Sequence, residues 1–574
     1  MYNDFHKKCN FSLIVKDLEQ HIFYNINRIC MKNVHRFIWI FVLVAICSVS
    51  CRKDEPPPTP PPHPPTPPIN EVSLLVSQYL VYDGMEMFYL WDEQMRGRKP
   101  TATDTDAKRY FESLLYRPTD VWSWITDDVD ALLRDFAGES ARAFGFAPFV
   151  LWADQQRTRL VGLVRYIYPN TPAADEGMRR GDIIFEIDGR PITEANWRLL
   201  VDGGSTVTLT VYNQNFQNPR PVTITPRSFS ANPVLHSSVH RFDNSDRVIG
   251  YLFYTAFRSN FNNYLYQAFR KFQREGVNEL VLDLRYNPGG GVDAAVYLAS
   301  LIAPREAVEN NEVFTIMSYN RFINNLFDSN FERYFARGYG YENWERGWRL
   351  GVYDDSQFQN PLNANLNLGR VHIIATPSSA SASELTIFCL RPFMDVYHIG
   401  GETSGKYTAS WTVHAFDNFL VGEPPNRRAR AQSVHNPNRF TAAQREELRN
   451  WAMQPIVGRY TDRDSRDFVA AGTLRPDFPR EADRRRFMDE MFMFAPAQWR
   501  PIGSEDDFLF NEAIALITGR PRIAIPPMPT RASGKQFIDA HLRSPQEEQL
   551  RRAVNVDNVE IDPEMLRKML ESLR

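Results

Sequence analysis

The spacing of apolar residues divides the chain into parts with different predicted structure. Over residues 71–137 apolar residues recur at spacings of three and four, as in "LLVSQYLVYDGMEMFYLW", which is typical of helices. Over residues 138–229 the pattern changes to short β-like runs, such as "DIIFEIDG" and "TVTLTVYN", punctuated by glycine and proline. The first part predicts a small helical N-terminal domain without chemistry of its own, and the second predicts a β-rich domain.

Residues 230–520 alternate short β-branched or apolar runs with segments of helical period. "NELVLDLR" and "RVHIIAT" are typical of strands, and their alternation with helices predicts an α/β layer. An aromatic-rich insertion at about 305–368 is long for a connection, so it is either a lid that lines a substrate site or a structural cap over a sheet edge. The tail, residues 521–574, is Pro-rich and then charged and amphipathic, which favours a solvated or loosely packed helix. The predicted fold class is a multidomain α/β protein.

The N-terminal pattern is that of a secretory signal. Basic residues precede an apolar run of eleven residues, and small residues follow up to Cys51. The run is too short for a bilayer span, which needs ~20 residues. A signal that began at the first methionine would have an unusually long region ahead of the apolar run, so we expect translation to begin at Met31. Residues 1–30 would then be an untranslated upstream segment, and residues 31–50 the signal peptide.

Residues 51–70 are predicted to form an anchor and a spacer. The residues around Cys51 resemble the end of a bacterial lipoprotein signal, which implies that this cysteine carries a lipid, and the following "RKDE" is similar to an export tag of Gram-negative surface lipoproteins. Residues 56–68 hold ten prolines in thirteen positions, which favours a stiff spacer of ~3.1 Å per residue. We therefore expect a protein of the cell envelope, lipid-anchored in the outer membrane of a Gram-negative bacterium, with exposure at the cell surface left open. The alternative for Cys51 is an ordinary free thiol.

Charge and motifs argue against several classes of function. Lys and Arg total 66 against 69 for Asp and Glu, so the chain lacks the basic excess expected of a protein with a nucleic-acid partner. It contains no HExxH and no paired CxxC, so no metal site is predicted. "GGETSGKY" approaches a phosphate-binding loop, but Tyr407 stands where a magnesium-binding Ser or Thr belongs. We expect neither a metal nor another cofactor.

A serine and a lysine 25 residues apart are the candidate catalytic pair. Ser381 lies in "SASAS" near the start of a predicted helix, and Lys406 lies in a turn just beyond the next predicted strand. A helix followed by a strand returns the chain to the same end of a sheet, so the two side chains could meet. A serine hydroxyl needs a base beside it, and lysine can serve only when neutral, a form that burial favours. Taken alone, such a serine run is typical of a capping loop, and a single lysine is typical of a solvated charge.

The β-rich part resembles the PDZ domain. "NTPAADEGMRRGDIIFEIDGRPI" has proline, glycine and aspartate at the positions of that family, and "FGF", formed by Phe144, Gly145 and Phe146, is similar to its carboxylate-binding loop. Such a loop can turn backbone N–H groups toward a chain-terminal carboxylate while a strand edge pairs with the peptide. The alternative is a β-rich domain without a ligand.

Three motifs together resemble one enzyme family. "LVLDLRYNPGG", "SASASE" and "GETSGK", in this order after a PDZ-like domain, are similar to the C-terminal processing peptidases, the tail-specific serine proteases. The resemblance implies an α/β protease core of the crotonase or Clp type, with Ser381 as nucleophile and Lys406 as general base. Ala382 and one of Gly289 or Gly290 would donate the N–H groups of the oxyanion hole. The implied substrates are proteins or peptides with exposed C-termini, cleaved through an acyl-enzyme without a cofactor.

The resemblance covers about residues 70–520, and two positions depart from the family. Many members have Gly after the lysine and Gln four positions beyond it, where this chain has Tyr407 and Ser410. Ser410 is therefore the candidate third catalytic residue, and His414 with Asp417 is an alternative base pair. The rival function is a catalytically weak or inactive PDZ scaffold of the same fold. A third alternative is an anchored enzyme whose aromatic insertion binds polysaccharide.

Overall fold

The computed structural model describes most of the chain after the spacer. It covers residues 74–523 and 538–539, apart from gaps at 118, 137–138, 155, 202, 216, 244, 326–346, 417–430, 467–471 and 478–498. The described residues all belong to one compact unit. The predictions for the signal peptide, for Cys51 and for the Pro-rich spacer lie outside the described residues. Within the described ranges, no helix is both long enough and apolar enough to cross a membrane.

The N-terminal region contains the predicted helices. They are α1, a continuous helix made of Leu74–Val76, the π-helical turn Ser77–Tyr82 and Asp83–Phe88, followed by α2 (Ala107–Leu114) and α3 (Val129–Phe136). The side chain of Asp106 caps α2 by accepting a hydrogen bond from the Arg109 N–H at 3.1 Å. A short strand, β1 (Trp124–Thr126), was not predicted and pairs with a strand far along the chain. Apolar side chains of α1 and α2 belong to the same buried core as the α/β region, so these helices pack as part of it.

The β-rich region is a sheet of short antiparallel strands. Its elements are β2 (Glu139–Ala143), β3 (Phe146–Trp152), β4 (Leu160–Ile167), helix α4 (Pro172–Asp175), β5 (Ile183–Ile187), β6 (Arg190–Pro191), β7 (Val207–Tyr212), β8 (Arg220–Ile224) and β9 (Arg227–Ser230). In β7 the apolar residues are buried and alternate with threonines, as expected of a strand with one face on a core. The main sheet has the order β3-β4-β5-β7-β8, with β6 on β5, while β2 pairs with β9.

A strand from the C-terminal tail completes the edge of this sheet. Ile538–Asp539 form β22, which pairs antiparallel with β3 so that Ile538 lies opposite Trp152 and Asp539 opposite Leu151. The sequence predicted a solvated or loosely packed helix for the tail. At these two residues that prediction is wrong, because their backbone is extended and paired with the open edge of a sheet.

The α/β region is built on a five-stranded sheet. Its strands, in spatial order, are β10 (Val234–Arg241), β11 (Val248–Tyr254), β12 (Glu279–Asp283), β15 (Arg370–Ala375) and β16 (Asp395–Gly400). All but β10 run parallel, and every residue of β12 is buried, as is typical of strands covered on both faces. The covering helices are α5 (Asn262–Arg274), α6 (Val292–Ile302) and α8 (Ala382–Leu390) on one face and α10 (Phe508–Thr518) on the other.

Two smaller sheets flank this layer. One has the order β14 (Gly347–Arg349), β13 (Val313–Tyr319), β21 (Ile456–Asp462) and β17 (Thr408–Ser410). The other has the order β1, β20 (Ala452–Gln454), β18 (Thr412–Phe416) and β19 (Ala431–His435). Two further short α-helices are α7 (Arg305–Glu309) and α9 (Ala442–Leu448). The described part of the predicted insertion therefore contributes α7, β13 and β14, and both of these strands belong to the first of the two sheets.

Parallel strands bring two loops to one edge of the central sheet. The glycine-rich loop follows β12 and the serine-rich loop follows β15, and these strands are neighbours. The carboxyl ends of neighbouring parallel strands share an edge, which is where such sheets carry their sites. Backbone bonds join the two loops: the Leu284 N–H donates to the Ile374 oxygen at 2.8 Å, and the Ala380 N–H donates to the Asn287 oxygen at 3.2 Å.

Candidate active site

Ser381 stands at the start of α8 in a strained backbone conformation. Its φ of 59° lies in the left-handed region, with ψ at −115°, a combination that residues with a side chain rarely adopt. The residue is fully buried, and none of the described residues forms a hydrogen bond with its Oγ. A strained position and an unbonded buried hydroxyl both cost stability, and a structural role of the serine explains neither of them.

The other two serines of the motif have structural contacts. The Ser379 hydroxyl donates to the Leu284 oxygen at 2.7 Å, and the Ser383 hydroxyl donates to the Asn287 oxygen at 2.9 Å. Both bonds fasten the serine-rich loop to the glycine-rich loop. In this fully described stretch, Ser381 differs from its two neighbours in having a hydroxyl that remains available.

The glycine-rich loop passes directly beside the Ser381 hydroxyl. A Cβ atom on Gly289 would lie 2.7 Å from the Ser381 Cβ and 3.0 Å from its Oγ. The Gly289 N–H is already engaged, because it donates to the Asn287 Oδ1 at 2.9 Å. Within the described chain, the N–H groups of Gly290 and Ala382 have no such acceptor. Of the two glycines considered for the oxyanion hole, the hydrogen bonds favour Gly290.

The Glu384 carboxylate joins the serine and lysine loops. Its Oε2 accepts from the N–H groups of Ser381 and Lys406, both at 2.8 Å, and its Oε1 accepts from the Gly405 N–H at 2.6 Å and the Thr403 hydroxyl at 2.5 Å. Because one oxygen binds both N–H groups, the backbones of Ser381 and Lys406 lie side by side. Burial raises the pKa of Glu384 to about 7, while the hydrogen bonds from Thr403 and the backbone act in the opposite direction.

Tyr460 on β21 forms a second bridge between the same two residues. Its hydroxyl lies 3.1 Å from the Ser381 carbonyl oxygen and 3.0 Å from the Lys406 carbonyl oxygen. Burial raises the pKa of this phenol well above its ordinary value, and the charge of Glu384 adds to the shift, so the hydroxyl remains a neutral donor. The carboxylate and the phenol thus bind the N–H and the C=O groups of both candidate catalytic residues.

The Lys406 side chain is buried against an aromatic ring. The residue is fully buried, and its Nζ lies 5.5 Å from the centroid of the Trp122 ring. The unbonded state of the Ser381 Oγ means that no hydrogen bond joins it to Lys406 in this structure. Catalytic hydrogen bonds are often long in unliganded enzymes and tighten when substrate binds.

The candidate third residue and the alternative base pair lie on neighbouring strands. Ser410 is buried at the end of β17, opposite Ile456 of β21, and its catalytic role stays a prediction. His414 lies on β18 with its Nδ1 3.3 Å from the Trp451 carbonyl oxygen. Asp417, its proposed partner, lies outside the described residues.

The predicted carboxylate-binding loop precedes β3. Gly145 has a φ of 90°, and a Cβ atom there would overlap the side chain of Thr171, so the position requires glycine. The carbonyl oxygens of Phe144 and Gly145 accept backbone hydrogen bonds, each at 2.8 Å, and the rings of Phe144 and Phe146 stack with centroids 6.0 Å apart. The loop is therefore rigid, and its role in binding peptides stays a prediction.

Three residues of the site were not predicted. Glu384 had a signal, since Ser-x-x-Glu is the spacing of a helix capping box. Tyr460 lies 79 residues beyond Ser381, and Trp122 comes from the N-terminal region. Contacts over such separations depend on the tertiary fold, and the sequence carries no local signal for them.

Comparisons with known proteins agree with this arrangement. Residues 248–477 match the model of peptidase family S41, residues 163–213 match the PDZ domain, and residues 78–124 match the peptidase S41 N-terminal domain. The fold and site thus define a serine-type peptidase architecture joined to a PDZ domain. These matches support a C-terminal processing peptidase with a PDZ domain, which confirms the resemblance.

Individual relatives cover different shares of the chain. A carboxyl-terminal-processing protease of Picosynechococcus sp. is 32% identical over 145 residues, which are 24% of this chain and 34% of that protein. A protein of the same description from Synechocystis sp. is 27% identical over 145 residues, which are 33% of that protein. The chain therefore spans about a third of the length of the curated relatives it matches. A crystal structure of a Bacteroides fragilis protein assigned to the S41 proteases covers 76% of this chain and 97% of its own, at 23% identity and a TM-score of 0.53. That likeness confirms the multidomain α/β fold.

Proposed function

We propose that the protein is a serine endopeptidase of the cell envelope that recognises C-terminal tails through its PDZ domain and cuts peptide bonds with a Ser381–Lys406 dyad. The observation that carries this proposal is the unbonded, strained Ser381 hydroxyl beside the open N–H groups of Gly290 and Ala382. The bonds from Glu384 to the N–H groups of both residues support the pairing, because they keep the backbones of Ser381 and Lys406 side by side.

The chemistry uses groups of the protein alone. The substrate carbonyl oxygen lies between the N–H groups of Gly290 and Ala382, at the positive end of α8. Neutral Lys406 takes the proton from the Ser381 hydroxyl as Oγ forms a bond to the carbonyl carbon, and the carbonyl π electrons move to the oxygen. When the C–N bond breaks, the Lys406 ammonium gives its proton to the leaving amine. Water then attacks the acyl-enzyme with Lys406 as base again, and Ser381 recovers its proton.

Cleavage of an unfolded protein tests the dyad. Protein starting near Ile69 is prepared as wild type, Ser381→Ala and Lys406→Ala, with Ser378→Ala in the same loop as the matched control. Each is incubated with an unfolded protein that has an apolar C-terminus, and the products are identified by mass spectrometry. We expect cleavage by wild type and Ser378→Ala only. Full activity in both dyad variants would end the proposal.

A second candidate function is a PDZ scaffold with weak or absent catalysis. The absence of a Ser381–Lys406 hydrogen bond and the presence of Ser410 where many relatives have Gln favour it. The same experiment separates the two functions. If neither wild type nor Ser381→Ala cuts the protein, but both bind its tail, the result supports the scaffold function over the peptidase.

The envelope location rests on the N-terminal sequence. The signal-like stretch, Cys51 and the Pro-rich spacer support export and lipid anchoring. Metabolic labelling with a palmitate analogue tests this in cells that express the full chain. We expect label in wild type and none in Cys51→Ala, while label in both would refute the assignment of Cys51. N-terminal sequencing that finds residues 1–30 in the cellular protein would refute a start at Met31.

A further inference from the structure

Trp122 reaches the candidate active site from the N-terminal region, to which the sequence assigned no chemistry. Its ring faces the Nζ of Lys406 at 5.5 Å from the centroid, within the range of a cation–π contact. We propose that Trp122 is a positioning residue, which holds the Lys406 Nζ and stabilises the ammonium that forms when this lysine takes the Ser381 proton. This inference rests on the proposed Ser–Lys chemistry.

The loop that carries Trp122 is held rigidly. The buried carboxylate of Asp120 accepts hydrogen bonds from the N–H groups of Trp122 at 3.0 Å and Ser123 at 2.9 Å. Its other oxygen accepts from the Tyr89 hydroxyl at 2.8 Å. The Ser123 hydroxyl in turn accepts from the Ile456 N–H at 2.8 Å, which ties the loop to β21. The backbone that carries the ring is therefore held by Tyr89, which directly follows α1, on one side and by the strand that carries Tyr460 on the other.

An aromatic face suits a lysine that has to change its charge. A ring face attracts the ammonium and also accepts the neutral amine, so it can hold the Nζ in both charge states. Lys406 can therefore be held in place without being fixed in the form that is inactive as a base.

Steady-state kinetics on a short internally quenched peptide test the positioning role. Trp122→Phe keeps an aromatic face, while Trp122→Met removes it at similar volume. The control is Trp451→Met, since the Lys108 Nζ lies 5.7 Å from the Trp451 ring, while Lys108 itself is half exposed and paired with Asp127. We expect kcat within about threefold of wild type for Trp122→Phe, a loss of about tenfold for Trp122→Met at nearly unchanged KM, and no change for Trp451→Met. Equal kcat losses in both Trp122 variants, or a loss confined to KM, would overturn the proposal.

A second measurement does not depend on activity. Competitive acetylation with trace acetic anhydride, read by mass spectrometry, reports the reactivity of each lysine amine. We expect Trp122→Met to raise the labelling rate of Lys406 at least several-fold and to leave Lys108 unchanged, and Trp451→Met to leave the labelling of Lys406 unchanged. Equal Lys406 labelling in wild type and both Trp122 variants contradicts the positioning role. If wild type shows no Ser381-dependent cleavage, the proposed function fails, and the labelling still decides whether Trp122 holds Lys406.

A different observation concerns the open edge of β3. The predicted carboxylate-binding loop lies at the N-terminal end of β3, so a peptide that adds to this edge would run antiparallel with its C-terminus toward Phe146. β22 occupies the opposite end of the same edge and runs in that direction, because Ile538 pairs with Trp152 and Asp539 with Leu151. The geometry points to β22 as an internal ligand that competes with substrate tails for β3, an inference that rests on the proposed peptide-binding role.

Peptide binding to the full chain tests this competition. All proteins carry Ser381→Ala to prevent cleavage, and the probe is a fluorescent peptide with an apolar C-terminus and a free carboxylate. Ile538→Pro with Asp539→Pro removes the backbone donors of β22, and Ser533→Pro with Lys535→Pro is the matched control in the same tail. We expect the β22 variant to bind the peptide about fivefold tighter, because the peptide no longer has to displace β22 from the edge of β3. The control should bind the peptide as the parent does. Unchanged or weaker binding, or no binding by any variant, would overturn the inference.

Discussion

At the scale of single residues, the buried Glu384 carboxylate organises the site without touching a substrate. Its two oxygens accept four hydrogen bonds, two of them from the backbones of Ser381 and Lys406. An amide at this position has one accepting oxygen, so Glu384→Gln leaves two donors without an acceptor. We expect kcat to fall at least about tenfold, because the spacing of the dyad relaxes. Peptide cleavage by Glu384→Gln beside Glu402→Gln, a more exposed neighbour, measures this. Equal effects of the two substitutions would contradict it.

The raised pKa of Glu384 also predicts how stability depends on pH. In the folded protein the carboxyl keeps its proton up to about pH 7, whereas in the unfolded chain it loses it near 4.5. The group therefore contributes stability that is fully present below about pH 4.5 and is lost as the pH rises through about 7. Urea unfolding from pH 4 to 8 should show wild type losing stability relative to Glu384→Gln as the pH rises. A constant difference between the two proteins across this range would refute the prediction.

A substitution at Gly289 tests how closely the glycine-rich loop approaches the Ser381 side chain. Its φ is 109°, and an added Cβ atom would lie 2.7 Å from the Ser381 Cβ, so Gly289→Ala has to displace one of the two backbones. A misplacement of about 1 Å at a reacting group costs about a hundredfold in rate, and we expect kcat to fall by that order. Gly276→Ala is the control, since its φ is also positive but no atom lies within 4 Å of the new Cβ. It should cost about 1 kcal/mol of stability and no activity.

At the scale of elements, β21 connects the serine and lysine loops through Tyr460. The strand lies between β13 and β17, and its tyrosine hydroxyl reaches the carbonyl oxygens of Ser381 and Lys406. Tyr460→Phe should lower kcat about tenfold and stability by about 1 kcal/mol. Tyr297→Phe removes a similar buried bond, from a hydroxyl 2.7 Å from the Gln359 oxygen, and should change stability alone. Kinetics and urea unfolding of both variants distinguish the loss of a contact that positions the site from the loss of a contact that only stabilises the fold.

Local patterns predicted the elements better than they predicted the partners of those elements. The alternation of strands and helices after residue 230 is present, and the glycine-rich and serine-rich loops meet because β12 and β15 are adjacent parallel strands. The pairing of β1 with β20 and of β22 with β3 was not predicted, since strands of two or three residues carry no detectable period. Within the site, the sequence pointed to Ser381 and Lys406 but not to Tyr460 or Trp122. Tyr460 and Trp122 are recognised by their short distances to Ser381 and Lys406 in the folded protein, and a single sequence does not contain those distances.

At the scale of the whole molecule, the PDZ domain contacts the start of the glycine-rich loop. The Arg180 guanidinium donates to the Tyr286 hydroxyl at 2.8 Å and to the Arg165 oxygen at 2.8 Å, and it lies 4.3 Å from the Trp499 ring centroid. Tyr286 is the residue before Asn287, whose side chain binds the Gly289 N–H. The PDZ domain and the glycine-rich loop are therefore parts of one packed body.

This arrangement allows a test of whether the PDZ domain recruits substrates. Gly145→Ala forces a Cβ atom into Thr171 and distorts the carboxylate-binding loop, while Gly177→Ala, in the same domain, meets no atom within 4 Å. Binding of a tail raises the effective concentration of the rest of the same protein at Ser381, a gain that a short peptide does not have. We expect Gly145→Ala to slow cleavage of intact unfolded proteins about tenfold and that of short peptides less than about twofold. Equal losses on both substrates would mean that the loop acts on the catalytic groups themselves, through the contact of Arg180 with Tyr286, rather than by holding the tail.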